Sequence, residues 1–215
     1  MRLSVLVKLH ILKRAKNYNY QYPKNISEII SKRLPLDMLT HQTIVFLGFM
    51  DFGGKTLNAA ASIPRCVVLN AEWAAELVFN PAAIVTSSLR MTIGHELTHQ
   101  ENDYSIFFTR KYLIKKNRQF IHWINEIHAD FNGALKAFKT MTRQQAIESI
   151  KFKKQRKGSS DTSSSSHPSW ACRLDYITNF DFDEKLIRTV ATDVGCTDEM
   201  LIQDVIDHFK CIHLN

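Results

Sequence analysis

The chain has 215 residues, 45% of them hydrophobic and 23% charged, a balance that excludes wholesale disorder and fibrous architectures. Seven glycines and five prolines favour helices over a turn-rich sandwich. Basic residues exceed acidic ones by 28 to 21, for a formal net charge of +7. Five of the cations fall together at Lys151, Lys153, Lys154, Arg156 and Lys157. Such a cluster can meet nucleic acid or acidic lipid, but it reads more simply as a solvated helix end.

From the N-terminus, Leu3, Val5, Val7, Leu9 and Ile11 alternate with mostly polar neighbours and predict a strand, with Leu6 and Leu12 leaving a helix open. The opening residues resemble a secretory signal, but Lys8, His10, Lys13 and Arg14 interrupt the apolar run and no small-residue cleavage site follows. No stretch of 18 consecutive apolar residues occurs, so no membrane span is expected and a cytoplasmic location is the default. Asn25 is placed to cap a short helix carrying Ile26, Ile29 and Ile30, ended by Pro35. Thr43 to Phe49 is β-rich, Asp51-Phe-Gly-Gly54 is a turn, and Thr56 to Ala61 is placed to return as a strand. Arg65 to Leu69 adds one more strand. Cys66, Cys172, Cys196 and Cys211 form no C-x-x-C pair and read as reduced thiols.

Helical patterning begins at Asn80-Pro81 and is expected to run to about Asn102, with Leu89, Ile93 and Leu97 as its buried stripe. A second long helix is expected over Arg118 to Lys139, with Ile124, Ile127, Phe131 and Phe138 on its core side. Thr142 and Gln145 suggest a capping box for a third helix that runs into the basic cluster. The segment Gly158 to Ser166 is Ser-rich and predicts a mobile loop. Three short helices starting near Pro168, Asp183 and Thr197 complete the chain.

The chemistry is concentrated in Ile93-Gly-His95-Glu96-Leu-Thr-His99. On a helix, His95 and His99 stand one turn apart on one side and can converge on a single ion. Glu96 lies about 100° round the helix, within reach of a water at that ion. Two imidazoles suit zinc, and a catalytic zinc site needs a third protein ligand and one open position. Asn102 and Ser105 stand where a metzincin would place Gly and His, which excludes that class. The alternative is a Glu on a following helix, and Asn125-Glu126-Ile-His128-Ala-Asp130 supplies one. Glu126 is expected to complete the ligand set, with Asp130, four residues on, accepting the free N–H of one histidine. His128 would need the opposite helix face, and His122 is a weaker rival on the same face.

This arrangement resembles the gluzincin metallopeptidases, and two further segments narrow the likeness. Leu57-Asn58-Ala59-Ala60 resembles the segment that precedes the active-site helix in the family of HtpX heat-shock proteases and CAAX prenyl endopeptidases. Ser166-His167-Pro168-Ser169, with Arg173 and Ile177, resembles that family's downstream H-P-x-x-x-x-R motif. The likeness spans Asn58 to Ile177, over half the chain. HtpX-type members are usually embedded in membranes, so what the resemblance implies here is their soluble catalytic core. It implies His167 as a hydrogen-bond donor to the developing oxyanion and Asn58 as a holder of substrate backbone, while Arg173 reads first as a structural arginine and otherwise as a partner of Glu126 or of substrate carboxyls.

The expected architecture is therefore α+β and zincin-like, a single domain over 1–215. A small N-terminal β-sheet lobe with a backing helix (1–79) would precede a mainly helical lobe (80–215). The expected activity is zinc-dependent hydrolysis of a protein or peptide substrate, with one Zn2+ per chain held by His95, His99 and Glu126. Its water would be activated by Glu96 acting as general base. The Cys66 to Leu69 strand would take an extended substrate as an added strand. Two other readings stand beside this one. The first is a regulatory peptidase resembling the ImmA/IrrE group, acting on a repressor. The second is a non-catalytic module binding nucleic acid or a partner through Lys151 to Lys157. Against the last, no zinc-finger, helix-turn-helix or RNA-binding signature is visible and only Phe152 interleaves with the charges, so nucleic acid is not the expected partner.

Overall fold

The computed structural model describes residues 5–38, 44–48, 59–63, 66–104, 114–158 and 161–213. Its first element is a helix, α1 (Val5–Asn17), where the alternation predicts a strand. The alternation fails because Leu9, its supposed inward residue, is 53% exposed, while Ile11 and Ala15 are buried at the four-residue interval of a helix. α2 (Ile26–Arg33) follows and stops at Leu34, before Pro35, but Asn25 at its N-cap position makes no side-chain cap bond.

Three strands of five residues come next: β1 (Ile44–Gly48), β2 (Ala59–Ile63) and β3 (Cys66–Asn70). Their order is β1-β3-β2. β3 is central, parallel to β1 from Ile44 opposite Cys66 to Gly48 opposite Asn70, and antiparallel to β2 with an irregular register between Ala60 and Ile63. Both sides of Cys66–Asn70 are thus already paired, and this strand cannot receive a substrate strand as expected. Among the described residues, the unpaired edge nearest α4 belongs to β2.

The remaining elements are helical: α3 (Glu72–Phe79), α4 (Ala83–Asn102), α5 (Lys115–Ala137), α6 (Thr142–Lys157), α7 (Trp170–Asn179), α8 (Glu184–Val194) and α9 (Glu199–His213). The expected α+β layout with a separate β-sheet lobe is overturned. Among the described residues the fold is mostly helical, with nine α-helices against three short strands. The sheet has no core of its own: Val67 and Leu69 of β3 share one apolar cluster with Ile11, Ile30, Trp73, Leu89 and Ile93. α3 escapes a periodicity search because Trp73, Ala74, Ala75 and Leu77 are all fully buried, which leaves no polar face to give contrast.

The two acids of α3, Glu72 and Glu76, are buried as well, and cations from distant helices pair with them. Arg14 of α1 contacts both, and Arg156 of α6 reaches Glu76 at 2.6 Å. Part of the basic cluster is therefore an internal tie rather than a solvated helix end. A second cluster (Phe120, Ile124, Val190, Ile206, Phe209) joins α5 to α8 and α9, and a third (Met91, Ala134, Ile150) joins α4, α5 and α6. Asp183 caps α8 through Leu186 N, as expected. The capping box at Thr142 does not form: Met141 holds the N-cap position at φ 48° and makes no side-chain cap.

α4 and α5 cross at Gly94 and Gly133. A Cβ on Gly133 would stand 2.6 Å from His95 N and 2.8 Å from His95 Cα, and one on Gly94 would stand 2.4 Å from Gly133 O. The near-contact of the two backbones brings Asp130 and Glu126, one and two turns before Gly133, against the histidines of α4. Helix propensity alone would make Gly133→Ala stabilising by about 1 kcal/mol, but the new methyl meets rigid backbone, and overpacking of this kind costs about 1–3 kcal/mol. We expect a lowered urea midpoint for Gly133→Ala, together with weaker metal binding. An unchanged midpoint would mean that the helices part without cost.

Candidate metal centre

α4 presents His95 and His99 one turn apart, and α5 crosses it so that Glu126 faces both. His95 Nε2 and His99 Nε2 are 3.0 Å apart. Glu126 Oε2 lies 3.4 Å from the first and Oε1 3.4 Å from the second. Among the described residues these three form the one group of His, Cys, Asp or Glu side chains able to hold a metal ion, with ligand atoms all within 4.8 Å. The cluster resembles the HExxH-plus-Glu site of zincins.

The far side of each ring explains its orientation. His95 Nδ1 lies 3.1 Å from Asp130 Oδ1, and His99 Nδ1 lies 2.8 Å from Asp103 Oδ1. A carboxylate behind each imidazole draws the N–H to Nδ1 and turns the Nε2 lone pair inward. Two lone pairs and a carboxylate then converge with no donor between them, an arrangement that a cation satisfies. Burial opposes charge on His99, yet Asp103 and Glu126 hold its pKa well above the usual value. Burial likewise opposes ionisation of Glu126, but both histidines and Arg173 hold its carboxyl well below its usual range. Two imidazoles and one carboxylate are a donor set that fits zinc.

Asp130 sits where the sequence expects it, and Arg173 accounts for its depth. The guanidinium donates Nε to Asp130 Oδ2 at 2.6 Å, Nη2 to Asp130 Oδ1 at 2.5 Å, and Nη1 to Glu126 Oε2 at 3.1 Å. One buried arginine on α7 thus fixes both carboxylates of α5. Arg173 therefore contacts Glu126, one of the partners the sequence leaves open to it, and Asp130 as well.

Asp103 is the residue that sequence reasoning missed, although its position four after His99 on the same helical path was a usable signal. Its segment is pinned by Asn125, which accepts from Tyr104 N at 2.9 Å and donates to Tyr104 O at 3.2 Å. His128, set aside on helix geometry, is fully buried away from the cluster against the rings of Phe182 and Phe209.

Glu96 is 8% exposed and opens, with the three ligands, into a cavity of about 680 Å3. Among the described residues no side chain hydrogen-bonds its carboxylate, which leaves it free to act on a molecule in that cavity. His167 lines the same cavity. Its Nε2 is 3.3 Å from Glu126 Oε1 and its Nδ1 2.8 Å from Ser166 Oγ. Asn58 lies outside the described residues.

The Ser-rich segment is built onto its neighbours by its own side chains. Asp161 accepts from Trp170 N and Ala171 N, Ser163 Oγ from Ser169 N, and Ser164 Oγ from His167 N, while Ser164 O accepts from Trp123 Nε1. The small hydroxyl residues here act as turn and cap acceptors, and they set the backbone that carries His167. No helix among the described residues is long and apolar enough to cross a membrane. No family model, curated protein or solved structure matches this chain, so the likeness to a zincin site is carried by His95, His99 and Glu126 themselves.

Proposed function

We propose that the protein is a zinc-dependent peptidase, built on a catalytic core like that of the HtpX and CAAX prenyl endopeptidase family. One observation carries the reading: three converging ligand atoms with Glu96 beside them, unengaged, at the wall of a cavity large enough for a peptide segment. His95, His99 and Glu126 hold the metal, and Asp130, Asp103 and Arg173 orient those ligands. A bound zinc ion supplies Lewis acidity, which acidifies a water and polarises a carbonyl. Glu96 takes the proton of the attacking water and delivers it to the leaving amine. His167, held at its Nδ1 side by Ser166, turns Nε2 towards the cluster and donates to the oxygen that gains charge. The edge of β2 left unpaired among the described residues, whose Ala59 lines the cavity, takes the role first expected of the Cys66 to Leu69 strand; Asn58 immediately precedes it.

The contacts of both His167 and Arg173 with Glu126 favour this reading over a repressor-cleaving peptidase of the ImmA/IrrE type, whose pattern does not account for those two residues. The nucleic-acid alternative loses support because Lys153 is buried and Arg156 is paired with the buried Glu76. Four free cysteines accord with a reducing, cytoplasmic setting. The test is metal content and hydrolysis on one preparation. Purified protein should carry about one zinc per chain and degrade denatured casein. A chelator should abolish cleavage, zinc should restore it, and Glu126→Ala should lower both zinc occupancy and cleavage. Failure of the wild type to take up zinc on titration would remove the proposal.

A further inference from the structure

We propose that Lys153 binds a carboxylate of the substrate in this cavity, so that the peptides accepted are those bearing an acidic side chain or a free C-terminus near the scissile bond. The proposal rests on the peptidase reading above and deepens it. Lys153 belongs to the basic tract of α6, yet it is 6% exposed and forms part of the cavity wall with the metal ligands. Lysine is almost never buried unless its charge is paired. Among the described residues Lys153 makes neither an ion pair nor a hydrogen bond. Its ammonium instead lies 4.9 Å from the centroid of the Trp170 ring, which also carries the Arg173 guanidinium at 4.2 Å. The indole face holds the ammonium at the cavity wall, and no carboxylate of the described residues stands within ion-pair distance of it.

The other charges around the cavity are already engaged. Arg173 is taken by Asp130 and Glu126, Asp103 by His99, and Asp161 by the first turn of α7. Glu96 is reserved for proton transfer. Burial pushes the Lys153 pKa down to about 8, with Arg173 adding to the effect and Asp130, Glu96 and Glu126 opposing it, so the amine is still largely charged at neutral pH. An incoming carboxylate supplies the missing counter-ion. A second lysine, Lys157, lines the cavity one turn along α6, and His122 leads to an adjoining cavity of about 470 Å3 walled by Lys115 and Arg118.

The test uses full-length, zinc-loaded Glu96→Gln protein, which binds without turnover, and three hexapeptides of one neutral sequence. The first is capped at both ends, the second has a free C-terminal carboxylate, and the third is capped with one glutamate. Calorimetry should show the second or the third binding at least tenfold more tightly than the first, and which of them gains identifies the source of the carboxylate. Adding Lys153→Met, which keeps the stem and removes the charge, should erase that gain and leave the neutral peptide's affinity unchanged. Lys153→Gln serves if the Met variant does not fold, and Lys153→Arg should retain part of the gain. Equal binding of all three peptides, absence of binding by any, or a gain that survives Lys153→Met overturns the assignment. Cleavage by the wild type separates the two readings. A carboxylate preference in binding without cleavage keeps Lys153's role and sinks the hydrolase, whereas cleavage without preference does the reverse.

Discussion

Glu96→Gln is expected to keep its zinc and to lose about 10²–10⁴-fold in peptide hydrolysis, the range assigned to a positioned general base. The substitution changes one atom of a side chain that coordinates nothing and has no hydrogen-bond partner among the described residues, so the His95, His99 and Glu126 cluster should survive it. The amide can still touch a water in the cavity, but it has no basic oxygen with which to take the proton. The loss should therefore fall on kcat, with KM little changed, because the interaction removed is one made in the transition state. Metal content of the variant, measured beside its steady-state kinetics on a casein-derived peptide, separates the outcomes. Equal turnover at equal zinc removes Glu96 from the mechanism. Loss of both zinc and turnover would place Glu96 in the support of the metal cluster instead of in the chemistry.

The same residues show how far the sequence reaches. His95, Glu96 and His99 were legible because helical spacing alone puts them on adjoining faces, and the convergence of Glu126 and Asp130 followed from their four-residue separation. That logic depends on one local period. It gave no access to the crossing of α4 and α5 at Gly94 and Gly133, which depends on two glycines 39 positions apart. α1 takes the helix that Leu6 and Leu12 leave open and not the strand of the alternation, because an alternating run of Leu and Val also satisfies a helical face when Leu9 is left in solvent. α3 was missed because a segment buried on all sides has no periodicity. The order β1-β3-β2 hinges on a parallel pairing that no turn residue announces. Lys153 shows the limit most plainly: five cations in seven positions read as solvent-facing, yet Lys153 enters the site and Arg156 pairs with Glu76, 80 residues away. Burial of a charge is decided by partners distant in the chain, and composition carries no record of them.

Arg173→Met is expected to destabilise the metal-free protein by about 3–5 kcal/mol, the cost of removing one partner from a buried ionic group. Two carboxylates, Asp130 and Glu126, would lose the guanidinium that satisfies them, so the deficit should depend on pH in a defined direction. In the wild type, Arg173 and the His95 contact outweigh burial and hold the Asp130 carboxyl well below its ordinary range, and Glu126 is held low in the same way. A depressed carboxyl contributes stability that is complete above its unfolded value of about 4 and is lost as the pH falls through the folded value. Without Arg173, burial is less opposed and both carboxyls rise, Asp130 more than Glu126, which the two histidines still hold, so protonation relieves the variant at a pH where the wild type gains nothing from it. The gap in urea midpoint between the two proteins should be widest at pH 7.5 and should narrow by pH 5, both measured with chelator present. A gap of equal size at both values would mean that Arg173 acts through its packing on Trp170 and not through charge. Zinc affinity supplies the second reading of the same variant. Asp130, no longer held on two oxygens, would orient His95 less firmly, and loss of such support weakens metal binding about 10–100-fold. Narrowing of the stability gap in acid together with weaker zinc binding at neutral pH would identify Arg173 as the residue that converts two buried acids on α5 into one metal ligand and one histidine anchor.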